Sequence, residues 1–173
     1  DTLVVANTID DIISLDPAQS FEFSGNDVTN NLYDKLVDFD PLDLAAGIKP
    51  SLAESWEVSE DGKTITLTMR EGVKFQSGNP VRAEDAAWSL QRAVKLNLSP
   101  AFILTQFGFN KNNARGKIKA TGPLTLTLET DKAYAPTFVL NCLTANIGAI
   151  VDKKLLLTKE QNGDWGYGWL KTN

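Results

Sequence analysis

Residues 51–78, SLAESWEVSEDGKTITLTMREGVKFQSG, alternate apolar and polar side chains on both sides of Asp61-Gly62. Trp56 and Val58 flank Glu57, and Ile65, Leu67 and Met69 interleave with Thr64, Thr66 and Thr68. Successive side chains of a strand point to opposite faces, so a β-hairpin gathers these apolar residues onto one side. A two-residue turn at Asp61-Gly62 sets Val58 opposite Ile65 and Trp56 opposite Leu67. The other face carries the threonines and Glu57, which predicts a half-exposed sheet with its apolar side on helices.

Elsewhere the period switches. TLVVANT (2–8) is short, apolar and β-branched, as a buried strand is. IDDIISLDPAQSFEFSGN follows as a loop rich in Asp, Ser, Pro and Gly. Val28, Leu32 and Leu36 recur every fourth residue and predict a helix over 27–39, capped by Asn26 or Ser24; DPLDLAAGIKPS then returns to loop. Ala86, Ala87, Leu90, Ala93 and Val94 form one helical stripe, and PAFILTQF gives a short helix after it. Leu124, Leu126 and Leu128 alternate with Thr125, Thr127 and Glu129, a strand paired with GKIKATG. APTFVLNCLT reads as helix, GAIV as extended and DKKLLLTKEQ as helix. This order predicts an α/β fold of the mixed α+β kind, without internal repeats.

Composition narrows the chemistry. Among the 173 residues there is no histidine, which removes Ser-His-Asp and Cys-His catalysis and the usual zinc ligand sets. Cys142 is the single cysteine, too few for an internal disulfide, and its apolar neighbours mark it as packing. A net charge of −5 without a basic stripe argues against nucleic acid. Arg82, Arg92 and Arg115 are scattered and read as surface residues. Two carboxylate groups, Asp10-Asp11 and Asp38/Asp40/Asp43, leave hard-cation binding and carboxylate-based glycoside hydrolysis open in principle. The second group lacks the glycine and distal glutamate of a calcium loop, and adjacent loop aspartates are ordinarily turn residues, so neither metal nor cofactor is expected. The glycines of GDWGYGW stand in no phosphate-cradling order; Trp165, Tyr167 and Trp169 read as packing at a domain edge.

PSLAESWEVSEDGKTITLTMREGVKFQSGNPVRAEDAAWSLQR resembles the signature region of the family 5 extracellular solute-binding proteins, the dipeptide, oligopeptide and nickel receptors of ABC importers. NNLYDKLVDFD before it and TLTLETDKAYAPTFVLNCLTANIGAIVDK after it extend the likeness over essentially the whole chain. One departure is Arg82, where such proteins often have Thr or Ser as helix N-cap; the other is length, so the chain is expected to be an incomplete, N-terminal portion of such a receptor. The resemblance implies a periplasmic binding protein type II-like lobe with a smaller α+β subdomain carrying the hairpin. Residues 1–30 would belong to the larger lobe domain, 31–150 to the smaller subdomain, and 151–173 to a helical return.

It also implies a periplasmic, non-enzymatic protein that binds short peptides between two lobes and delivers them to an inner-membrane ABC permease. Its remaining partner would be the C-terminal lobe, which in peptide-binding relatives supplies most charges for the peptide termini. A nickel chelate, opine or oligosaccharide in the same fold is the alternative ligand, and a carboxylate-based carbohydrate-active enzyme the rival class. Ligands of α/β sheets collect beyond the carboxyl ends of strands, which points to Asp10, Asp11 and Ile12, then to Phe21, Phe23 and Asn26. The resemblance adds Phe102, Leu143, Thr144 and Ala145. Backbone groups would pair with a peptide, phenylalanines would line pockets, and Asp10 or Asp11 would meet an ammonium.

Overall fold

Helix α1 (Phe23–Leu32) is the first regular element in the computed structural model, which describes residues 2, 4, 6 and 8–173. The strand expected over 2–8 rests on Leu3, Val5 and Asn7, which lie outside the described residues. Helix α1 starts four residues earlier than expected and stops short, because Tyr33 turns to extended backbone (φ −125°, ψ 138°). Its buried face is Gly25 and Thr29, while Leu32 is 59% exposed. Gly25 allows the close approach: a Cβ there would stand 2.6 Å from Ser20 Oγ. Leu36 stands instead at a bend in a buried stretch, 35–37, in which Lys35 bridges to Ala149. The four-residue recurrence thus spans two abutting elements, not one helix.

Strands β1 (Val37–Asp40) and β2 (Asp43–Pro50) form an antiparallel ribbon where the end of that helix and then a loop were expected. Phe39 pairs with Ile48, and Asp40 and Lys49 make an ion pair at 3.4 Å. Most of β2 faces solvent on both sides, so its sequence has no apolar alternation to announce it.

The second hairpin, β3 (Ala53–Val58) and β4 (Thr64–Met69), keeps the expected register: Trp56 opposes Leu67 and Val58 opposes Ile65. Its turn is wider than two residues. Gly62, at φ +68°, donates its N–H to Ser59 O, and the Asp61 carboxylate accepts from Ser59 Oγ and Lys63 N–H. Beyond it run α2 (Ala83–Leu96), a 3-10 turn (Ser99–Ala101), α3 (Phe102–Thr105) and α4 (Ala114–Lys117). Strands β5 (Ile118–Ala120) and β6 (Thr125–Glu129) follow, then α5 (Pro136–Leu143), a second 3-10 turn (Asn146–Gly148), α6 (Lys153–Lys159) and α7 (Tyr167–Leu170).

The four-stranded antiparallel sheet has order β3-β4-β6-β5, with Ile65 against Leu128 and Leu67 against Leu126. All four are at most 2% exposed, and α2 packs across β5 and β6. Burying each contributes about 2 kcal/mol, whereas the half-exposed threonine face gains little, so the apolar face sets the register.

Helix α2 is capped by its third residue. Asp85 Oδ2 accepts the Arg82 N–H at 2.9 Å, and Glu84 and Asp85 place negative charge in the first turn. An arginine side chain has no acceptor, so Arg82 supplies no cap bond of its own. Arg92 is not a surface residue. It is 1% exposed and grips Asp16, 0% exposed, with two bonds of 2.7 and 2.5 Å, while its Nε donates to Trp165 O. A second, smaller core surrounds this grip: Trp88, Val151, Leu156 and Leu170, with Tyr33, Trp165 and Trp169 against them.

Candidate functional site

A cleft of about 290 Å³ opens where the loop entering α1, the run leading into β1, the turn before α3 and the exit of α5 meet. Its apolar walls are Phe21, Phe39, Pro100, Ile103 and Ile147, and its polar floor is Ser20, Asn26, Asn30, Lys35, Asp38 and Asn146. Lys35 organises the floor. Its buried ammonium donates to Asn30 Oδ1 at 3.0 Å and Thr144 O at 2.9 Å, and pairs with Asp38 Oδ2 at 3.3 Å. Asn146 Nδ2 donates to Asn26 Oδ1 and Thr29 Oγ1, both at 2.6 Å, which locks the α5 exit onto α1. Ser20 Oγ is buried without a hydrogen-bond partner among the described residues.

Four of the predicted site residues meet here: Phe21, Asn26, Thr144 and Ala145 line the cleft. Phe102 stands at its rim, half exposed and edge-on to Phe21 with ring centroids 5.8 Å apart. Leu143 does not reach the cleft. It is 1% exposed in the main core, because its place near the end of α5 turns it inward while the next two residues face out. Phe23 is 90% exposed, and neither it nor Asp10, Asp11 or Ile12 lines the cleft. Asp11 instead anchors the start of α1, where hydrogen bonding from Ser24 holds its carboxyl below the usual range.

The second aspartate group is dispersed: Asp38 pairs with Lys35, Asp40 with Lys49, and Asp43 Oδ1 accepts the Ala46 N–H. Asn30, Lys35, Asn146 and the walls Phe39 and Ile103 were not singled out from sequence. The one signal was a lysine set inside the apolar run LYDKLV.

A broader concavity of about 900 Å³ lies elsewhere, between Tyr33, Leu52, Phe75, Ile150, Leu156 and Trp169. It is mainly apolar. One of its two acids, Asp152, is engaged by Ser77 Oγ, Asn79 Nδ2 and the Leu155 N–H. Burial pushes that carboxyl up, but these donors outweigh it and hold it below its ordinary value. Binding sites combine apolar walls with a few convergent polar groups, a description that fits the smaller cleft.

Comparison with known proteins agrees with the fold. A profile of the bacterial extracellular solute-binding proteins, family 5 Middle, matches residues 47–173. Dipeptide-binding protein DppE of Bacillus subtilis (strain 168) is 31% identical over 166 residues, which is 87% of this chain and 29% of that protein. The "Probable D,D-dipeptide-binding periplasmic protein DdpA" of Escherichia coli (strain K12) is 31% identical over 175 residues, 100% of this chain and 31% of its own. Among solved structures, the Escherichia coli murein tripeptide binding protein MppA superposes with a TM-score of 0.72 at 29% identity, covering 86% of this chain and 30% of that one. The chain therefore spans about a third of the length of these relatives. With the profile matching most of its residues and the relatives matching in sequence and fold, the chain belongs to family 5 of the bacterial extracellular solute-binding proteins.

Proposed function

We propose that this chain is part of a periplasmic receptor that binds short peptides and delivers them to an ABC permease, without catalysis. The observation that carries the reading is the meeting of Phe21, Asn26, Thr144 and Ala145, with Phe102 at the rim, in one cleft of a family 5 fold. Relatives of this family are named for binding dipeptides and a tripeptide. Two lobes closing on the ligand would bury it, and the closed form would be what the permease recognises. Residues 151–173 share a second small core with Tyr33 and Trp88, apart from the main one, which supports reading them as a helical return; 1–30 and 31–150 are the other two parts of the proposed division. Asp10, Asp11, Ile12 and Phe23 keep a place in the reading only as residues that a second lobe would reach.

Native mass spectrometry of the protein purified from its natural source tests this. A chain much heavier than 18.9 kDa carrying adducts in the peptide mass range is the expected result. A species that carries none, and gains none from a mixture of di- and tripeptides, overturns the reading.

A further inference from the structure

The net charge of −5 is unevenly spread along the chain. None of the 22 acidic residues lies within 86–128, which holds Arg92, Lys95, Lys111, Arg115, Lys117 and Lys119. Two of these are taken up elsewhere: Arg92 is buried on Asp16, and Lys95 lies 4.7 Å over the Trp165 ring. The other four gather at one edge of the four-stranded sheet, where β5 is the outermost strand. The whole-chain balance masks this local basic stripe, because every acid lies outside it.

Local structure turns the stripe outward. Ala114 N–H donates to Asn110 O and Lys117 N–H to Asn113 O, so helical turns lead directly into β5. Ala114 and Ile118, both 0% exposed, are the inward residues, and Lys111, Arg115 and Lys119 are left exposed. Lys117 pairs with Glu129 at 3.2 Å, whereas the other three make no ion pair among the described residues. Asp131 stands near this segment, beside Gly108, but its carboxylate accepts the Tyr134 hydroxyl, over whose ring Lys132 lies.

We propose that this edge, from Lys111 to Lys119, is an electrostatic contact for an anionic phospholipid surface. The inference goes beyond the peptide-binding reading and holds whatever the cleft takes. Charged heads on long stems reach headgroup phosphates, and both apolar residues of the segment are buried, so the contact is peripheral and does not insert. Salt screens charges beyond about 8–10 Å, so the nearest residues and not the net charge decide the encounter. Each basic residue at such a surface strengthens binding about fivefold, so the three free charges together favour it about a hundredfold over a neutral one. A nucleic acid is the poorer fit, since the segment has no aromatic residue on which a base could stack.

Sedimentation of the 173-residue chain with vesicles tests this, using phosphatidylcholine alone and an equal mixture of phosphatidylcholine and phosphatidylglycerol. The anionic vesicles are expected to bind about a hundredfold better at about 20 mM salt, and about 0.5 M salt should release the chain. Arg115→Gln should cost about fivefold. Arg115→Glu combined with Lys119→Glu should abolish the preference with the circular dichroism spectrum unchanged. Lys154→Glu combined with Lys171→Glu makes the same change in net charge at exposed positions elsewhere, and should leave the preference in place. Equal binding to both vesicles overturns the proposal, as does a preference that survives loss of Arg115 and Lys119 or falls equally with both pairs. Polyglutamate or a DNA duplex that binds the chain more tightly than anionic vesicles at matched charge would overturn it too, making the partner an acidic protein or a nucleic acid.

Discussion

Asp16 and Arg92 join three parts of the chain that are far apart in sequence: the loop before α1, the middle of α2 and the turn before α7. Both are essentially unexposed, the guanidinium meets the carboxylate with two bonds, and Trp165 O takes a third. A buried pair gains little over an apolar pair of the same shape, because desolvating two ions offsets their attraction; removing one partner is the costly change. Arg92→Ala is therefore expected to cost about 3–5 kcal/mol in urea unfolding, while Asp16→Leu combined with Arg92→Met costs much less. A loss under about 1 kcal/mol for Arg92→Ala, the range of an exposed pair, would show that the pair does not hold these segments together. The burial of Arg92 was not legible because α2 has two buried flanks. Ala86, Leu90 and Ala93 face the sheet and give the apolar stripe, whereas Trp88, Ser89 and Arg92 face the second core, where a polar residue is satisfied by chain over seventy positions away. Lys35 was hidden for the same reason: its partner Thr144 lies 109 residues along the chain.

Strand β4 is the element on which the sheet depends, paired on one edge with β3 and on the other with β6. Ile65 sits on it at 2% exposure, opposite both Val58 and Leu128. Ile65→Asp places a carboxylate there with no partner, so it must either stay protonated or pay several kcal/mol of desolvation. That is comparable with the whole stability of an ordinary domain, about 5–15 kcal/mol. The expected outcome is loss of the cooperative thermal transition followed by circular dichroism; an unchanged midpoint would contradict the orientation of β4. This hairpin, α2, β6 and α5 were legible because each has one dry and one wet face, which writes its period into the sequence. Strand β2 is largely wet on both faces, and α1 packs through Gly25 and Thr29, residues that no hydrophobic pattern marks. Four cleft residues were legible from family likeness, and the floor built by Lys35 was not, because its geometry comes from contacts between elements.

At the scale of the molecule, affinity depends on how much of the ligand leaves water. Relatives devote roughly two thirds of their length to chain that this one does not span. A micromolar complex needs about −8 kcal/mol, after offsetting roughly 4–15 kcal/mol of lost ligand freedom. A site that contacts one residue of a peptide and leaves the rest hydrated supplies a few hydrogen bonds of about 1 kcal/mol each and one or two apolar contacts. Dialanine and trialanine should accordingly bind the 173-residue chain with dissociation constants near or above about 1 mM, the −4 kcal/mol range, and titration calorimetry should record almost no heat at micromolar protein. Submicromolar binding by this chain would mean that its own cleft encloses the ligand, and closure by a second lobe would then be unnecessary. Weak binding here, with tight binding by a longer natural form, would place the missing free energy in the surface that closes over the cleft.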